Sequence, residues 1–87
     1  MKLRLYVALN APNSTLAIAN LAALCKAHVK YIFKVEIVDV LKFPLRALAD
    51  GVLVTPHLAK LSPAPSARIV GNLGDRERVV LALGIGS

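Results

Sequence analysis

The residue types that could carry chemistry in this chain are few: one cysteine, two histidines and a polar corner near the N-terminus. The corner, Asn10 to Ser14, follows a predicted strand and precedes a predicted helix. In redox domains with this layout, the reactive cysteines stand at such a helix N-terminus, where a thiolate is stabilised. Here the corner holds Asn, Pro and Ser and no sulfur. The sequence therefore predicts a binding module and not an enzyme, with no catalytic residue.

The cysteine and the histidines do not form a recognisable site. Cys25 falls late in the first predicted helix on an apolar stripe, where the helix dipole opposes a thiolate, and we interpret it as a buried core thiol. A single cysteine cannot make an internal disulfide. His28 and His57 have no Cys or carboxylate at ligand spacing, so no metal and no cofactor are predicted.

The length and composition indicate one domain, residues 1–87, with exposed apolar surface. Hydrophobic residues make up 56% of the 87 residues, which is high for a small monomer. We therefore expect another chain to cover some apolar surface, and a homo-oligomer (dimer or tetramer) is one candidate assembly. Eleven Lys and Arg against five acids give a net charge of +6. The positive charge favours a partner with an acidic protein surface. Nucleic acid is an unfavoured partner, because the cations are scattered and few aromatic residues accompany them.

The chain lacks the sequence signals of export and of membrane insertion. The N-terminus carries charges at Lys2 and Arg4 and has no apolar signal segment. No apolar run approaches the roughly 20 residues that cross a bilayer. We expect a cytoplasmic protein without a membrane partner.

Hydrophobic periodicity divides the chain into seven elements. Alternation at Leu3, Leu5, Val7 and Leu9 predicts a first strand. The further predicted elements are a helix over 14–27, a strand over 33–40, a short helix over 44–49, strands over 58–61 and 67–71, and a helix over 75–83. Gly84 is a natural helix stop.

The predicted order is βαβ, a short helix, then ββα, which defines an α/β fold. A mixed four-stranded sheet in that order is typical of thioredoxin-like domains. Asn13 or Ser14 is expected to cap the first helix, and its predicted core stripe is Ile18, Leu21, Ala22 and Cys25.

Pro56 stands where thioredoxin-like domains place a cis-proline, directly before a strand. The alternative is a trans proline that simply begins the strand, because cis occurs in only about 5–6% of X–Pro bonds.

Several segments together resemble the KaiB family of circadian clock proteins. They are Leu5-Tyr6-Val7-Ala8, Pro12-Asn13-Ser14, Val38-Asp39-Val40-Leu41-Lys42 with Pro44, Thr55-Pro56 with Leu58-Ala59-Lys60, and Arg68-Ile69-Val70-Gly71 with Arg76-Glu77. The resemblance implies a non-enzymatic regulator that binds the ATPase ring of KaiC and thereby controls KaiA and the sensor kinase SasA. It also implies a metamorphic protein, which exchanges a tetrameric ground-state fold for a thioredoxin-like monomer that binds KaiC.

Two residues near the C-terminus depart from the family pattern. Ala82 and Gly84 stand where the family usually has Gly and then Asp. Ala favours a helix interior over Gly by about 1 kcal/mol, and Gly is a better C-cap than an acid. The sequence therefore predicts that the chain rests in the thioredoxin-like fold, the KaiB ground-state fold being the alternative.

The resemblance also supplies candidate partner-binding residues, which match basic or polar positions of the family: Lys42, Lys60, Arg68 and Arg76. Surface solubility is the alternative role for each of them. Three other functions stay open from sequence: a divergent KaiB homologue acting as an interaction or stress-signalling adaptor without a full clock, a thioredoxin-like redox protein, and a basic nucleic-acid adaptor.

Overall fold

Four strands and three helices make up the fold in a computed structural model that describes residues 1–86. The strands are β1 (Lys2–Val7), β2 (Lys34–Asp39), β3 (His57–Ser62) and β4 (Ala67–Val70). The helices are α1 (Pro12–Ala27), α2 (Pro44–Ala49) and α3 (Arg76–Leu83). This is the predicted order βαβ-α-ββα.

The strands form one mixed sheet in the order β2-β1-β3-β4. β1 runs parallel to β2 and antiparallel to β3, and β3 pairs antiparallel with β4. The predicted thioredoxin-like architecture is therefore confirmed. β2 and β4 are the edge strands, and the central β1 is buried along most of its length.

The main core lies on the sheet face that α1 and α3 cover, termed here the α1/α3 face. Leu3, Leu5 and Val7 of β1 are each 0% exposed and pack against both helices. Their alternation in the sequence predicted this inward face. The residues between them, including Arg4 and Tyr6, point to the opposite face.

The opposite face, termed the α2 face, has a smaller apolar cluster under the short helix. Tyr6 and Val38 of the sheet are buried there against Ala47 of α2 and Val52 just after it. One six-residue helix cannot cover four strands, so much of this face is polar and charged.

The orientation of α1 differs from the sequence prediction. Its buried residues are Ser14, Ala17, Leu21 and Leu24, whereas Ala22 is exposed and Cys25 is half-buried. Ile18 is also half-buried, and it packs against the main core together with Cys25. The predicted core stripe is therefore right at Leu21, partly right at Ile18 and Cys25, and wrong at Ala22. Apolar residues surround almost the whole helix, so their periodicity could not select the buried side.

The end of α3 is closed by Gly84. This residue adopts φ +70° and ψ +27°, the left-handed conformation that glycine accepts without a steric penalty. Ala82 is half-buried inside the helix. Residues 76–83 are thus helical, as the predicted thioredoxin-like fold requires. Across residues 1–86, no helix combines the length and apolar character that crossing a bilayer requires.

Candidate functional site

In the strand-to-helix corner after β1, the hydroxyl group of Ser14 takes part in a hydrogen bond within the domain. Ser14 is 1% exposed, and its Oγ accepts a hydrogen bond from the backbone N–H of Ala8 at 3.1 Å. The predicted capping of α1 by Asn13 or Ser14 is wrong: Ala11 is the N-cap, no side chain caps it, and Pro12 begins the helix. The corner therefore serves to join β1 to α1.

The thiol of Cys25 lies far from that corner, on the last turns of α1. It is half-buried, and burial raises the pKa of the Cys25 thiol, which disfavours the nucleophilic thiolate. Within residues 1–86, no three His, Cys, Asp or Glu side chains lie close enough together to hold a metal ion.

Pro56 lies directly before β3 and is buried. The Thr55–Pro56 peptide bond is cis, and the carbonyl of Pro56 accepts from the backbone N–H of Gly71 at 3.0 Å. This contact ties the start of β3 to the end of β4.

The four candidate partner-binding residues do not form one patch. Lys42 is exposed in the turn after β2, with its Nζ 5.8 Å from the ring centroid of Phe43. Arg76 is exposed at the first position of α3. Arg68 is exposed on the α2 face of β4, whereas Lys60 lies on the opposite face.

Lys60 is mostly buried in this state, with 5% of its surface exposed. Its Nζ lies 3.6 Å from the position that a Cβ on Gly84 would occupy. The ammonium group is therefore beside the C-terminal end of α3. A cation at this position is favoured by the negative end of the helix dipole.

An ion-pair network joins the α2 face to α2. Arg4 Nε donates to Glu36 at 2.7 Å, and Arg46 Nη2 donates to the other oxygen of Glu36 at 2.6 Å. Arg4 also pairs with Asp50 at 3.2 Å. Hydrogen bonds from Arg46 and then Arg4 lower the pKa of Glu36. The sequence analysis missed this network; the signal was the alternation that puts Arg4 and Glu36 on one face of neighbouring strands.

A second polar cluster lies at the other end of the same face. Arg68 Nη1 is 3.1 Å from His57 Nε2, and the Tyr6 ring meets the imidazole edge to face with centroids 6.2 Å apart. The Tyr6 hydroxyl has no hydrogen-bond partner among residues 1–86. Burial, and then the charge of Arg68, lower the pKa of His57. Sequence reasoning had considered His57 only as a metal ligand.

Large apolar side chains are exposed on α2 and the segments beside it. Leu45 is 80% exposed and Leu48 is 63% exposed, so α2 turns apolar side chains to solvent. The neighbouring exposed apolar residues are Leu41, Phe43, Leu53 and Val54. Exposed apolar side chains gathered in this way are typical of a protein-binding surface.

A second apolar feature is an open groove of about 360 Å³ between α1 and β2. Ile18, Ala22 and Cys25 line one wall, and Phe33, Val35 and Ile37 line the other. These include three of the four residues that the sequence analysis had placed in the core.

The mixed four-stranded sheet and its three helices define a thioredoxin-like domain. The solved structures agree: the chain is similar to the N-terminal domain of Synechococcus elongatus SasA (TM-score 0.77, 20% identity, 99% of this chain and 85% of that one). It is also similar to mitochondrial thioredoxin 3 from Saccharomyces cerevisiae (TM-score 0.76, 14% identity, 95% and 76%). At such identities the likeness concerns the fold alone.

Sequence relatives identify the family. The KaiB domain profile matches residues 4–85. The chain is 46% identical over 81 residues to the circadian clock oscillator protein KaiB of Prochlorococcus marinus strain MIT 9313, covering 93% of this chain and 68% of that protein. It is 44% identical, with the same coverage, to KaiB of Synechococcus sp. strain CC9311. The chain belongs to the KaiB family, as its sequence predicted, and this supports a role as a circadian clock regulator.

Proposed function

We propose that this protein is a non-enzymatic clock regulator that binds a KaiC-type ATPase ring and, once bound, controls KaiA-type and SasA-type partners. Family membership over nearly the whole chain is the observation that carries the proposal. The engaged hydroxyl of Ser14 and the raised pKa of Cys25 support a role without catalysis.

The exposed apolar surface around α2 is the proposed docking surface for the ATPase. Leu45 and Leu48 offer apolar area that desolvates on binding, and Lys42 adds a cation at its border. Apolar centres with charged rims are the usual composition of protein interfaces. The net charge of +6 favours an acidic partner surface.

The proposal also assigns the thioredoxin-like fold as the binding-competent state of a metamorphic protein. Gly84 in the left-handed conformation and Ala82 within α3 support the helical form of the C-terminal segment. We assign both residues as determinants of the fold state.

Size-exclusion chromatography with the KaiC-type ATPase of the same organism, in ATP and in ADP, tests the proposal. The wild type is expected to co-elute with the ring in at least one nucleotide state. Leu45→Asp and Leu48→Asp should weaken co-elution, whereas Leu81→Asp should not, although Leu81 on α3 is 74% exposed. No co-elution in either nucleotide would overturn the proposal. A complex that never captures KaiA or SasA would favour the adaptor role instead.

A further inference from the structure

We infer that His57 positions the guanidinium group of Arg68 to bind a carboxylate of the protein partner, and that protonation of His57 releases Arg68. The identity of the partner rests on the proposed function. The positioning itself rests on the arrangement of His57, Arg68 and Tyr6 on the α2 face.

The hydrogen bond between the two side chains fixes the protonation state of the imidazole. Arg68 Nη1 lies 3.1 Å from His57 Nε2. A guanidinium group can only donate hydrogen bonds, so Nε2 must accept. The ring is then neutral, with its proton on Nδ1.

The strands hold the imidazole ring in place from two sides. His57 begins β3, where it pairs with Tyr6 on β1 and with Val70 on β4. The Tyr6 ring stands nearly perpendicular to the imidazole, at 86°. His57 is only 6% exposed, so its ring has little room to turn. A buried, fixed acceptor therefore orients a side chain that is itself exposed.

The charge of Arg68 remains uncompensated within the described chain. The carboxylates of Glu36 and Asp50 pair with Arg4 and Arg46, and no Asp or Glu side chain in residues 1–86 pairs with Arg68. The imidazole uses one of the five N–H donors of the guanidinium group. The other donors have no partner among residues 1–86, and they lie on an edge strand. Their planar arrangement matches a carboxylate.

Protonation of His57 would remove the acceptor and set two cations 3.1 Å apart. The other charged or titratable groups of this face are Lys2, Arg4 and Tyr6 on β1, Lys34 and Glu36 on β2, Arg46 on α2 and Asp50 just after it. Both acids are already paired with arginines, so neither can neutralise a charged imidazole. Arg68 must then turn away from His57 as the pH falls.

Nitrogen NMR of the protein alone tests the positioning. At pH 7.5, we expect the His57 signals of a neutral ring with a bare Nε2. Because the pKa of His57 is lowered, the signals of a doubly protonated ring should appear only as the pH falls below the ordinary imidazole range. Arg68→Gln should remove the preference for a bare Nε2, and His28 serves as the internal reference. A His57 proton on Nε2 at pH 7.5 would overturn the inference.

Binding to the KaiC-type ATPase tests the role in recognition. Arg68→Gln and His57→Phe should each raise Kd about tenfold at pH 7.5, and the double variant should raise it no further. His57→Gln, which restores an acceptor oxygen, should recover part of the affinity. His28→Phe and Arg78→Gln are the matched controls. Wild-type Kd should rise as the pH falls far enough to protonate His57, which is below the ordinary imidazole range because its pKa is lowered, and the His57→Phe variant should lose that dependence.

The outcomes separate the two hypotheses. Unchanged Kd in Arg68→Gln and His57→Phe, or tighter wild-type binding in acid, would overturn the inference and leave the proposed function standing. If the wild type binds no KaiC-type ring, the proposed function fails and the carboxylate partner fails with it. The NMR measurement still decides whether His57 holds Arg68.

Discussion

The backbone N–H of Ile85 donates to the carbonyl oxygen of Val80 at 3.1 Å, across the left-handed Gly84. The N–H of Gly84 donates to Leu81 at 3.2 Å, and the side chain of Ile85 is buried in the main core. This is the Schellman arrangement, in which a glycine ends a helix and a following apolar residue packs back on it. The closed end of α3 therefore depends on residue 84 accepting a positive φ.

Replacing both fold-state residues should weaken α3 selectively. Ala82→Gly adds backbone freedom inside the helix, and Gly84→Asp forces a side chain into the left-handed region. Together they should cost about 2 kcal/mol in the helical state. We expect a second set of amide NMR signals for residues after 51, with faster hydrogen exchange in α3. Ala19→Gly in the exposed part of α1 is the control, and a variant spectrum that matches it would refute the assignment.

Removing the hydroxyl of Ser14 should destabilise the whole domain. Ser14→Ala leaves the N–H of Ala8 without its acceptor at 3.1 Å, at a cost of about 1–3 kcal/mol in the free energy of unfolding. Thr15→Ala is the matched control, because the Thr15 hydroxyl is exposed and only donates to Ala11 at 3.3 Å. Urea unfolding measures both. Equal effects of the two substitutions would contradict the structural role of the corner.

The Glu36 network should stabilise the domain only while Glu36 is ionised. Because Arg46 and Arg4 lower the pKa of Glu36 in the folded state, its contribution is present above the unfolded pKa of about 4.3 and is lost as the pH falls through the folded value. A double-mutant cycle with Glu36→Gln and Arg46→Met should show favourable coupling at pH 7 that vanishes in acid and weakens in salt. Coupling unchanged between pH 7 and pH 3 would argue against the pairing.

Acid should also destabilise the fold through His57. Burial and Arg68 lower the pKa of His57 in the folded state, so the unfolded chain binds more protons below its own pKa of about 6.5. The contribution of the neutral ring is therefore complete above that value and declines as the pH falls below it. Urea midpoints measured from pH 8 to pH 5.5 should fall in the wild type and His28→Phe, and fall less in His57→Phe. Parallel profiles for all three would exclude His57 as the cause.

The order of strands and helices was predictable from the sequence, because apolar residues repeat with a different period in strands and in helices. Alternation at Leu3, Leu5 and Val7 predicted both β1 and its buried face, and Gly84 predicted the end of α3. The orientation of α1 was not predictable in the same way. Its apolar residues occupy most of its surface, so the pattern could not show that Ser14 and Leu24 are buried whereas Ala22 is exposed.

Predicting the two polar clusters would have required the register of the paired strands, and no local sequence pattern gives that register. His57 and Arg68 lie eleven positions apart and meet only because β3 pairs with β4. Arg4 and Glu36 lie thirty-two positions apart and meet through parallel pairing of β1 with β2. Lys60 and Arg68 were predicted as partner-binding cations, but their places in the sequence do not show that Lys60 is buried or that Arg68 lies against a histidine.

The position of β2 at the edge of the sheet has a consequence for the solubility of the protein. Lys34 and Val40 turn their amides inward to β1, so the alternating residues Val35 and Ile37 leave theirs open to solvent beside the apolar groove. Such an edge strand can pair with a strand of another copy of the chain and so begin aggregation. Electrostatic repulsion between molecules of net charge +6 opposes this association, and a high salt concentration screens the repulsion. The protein should therefore stay in solution in buffers of low ionic strength and should aggregate when salt is added.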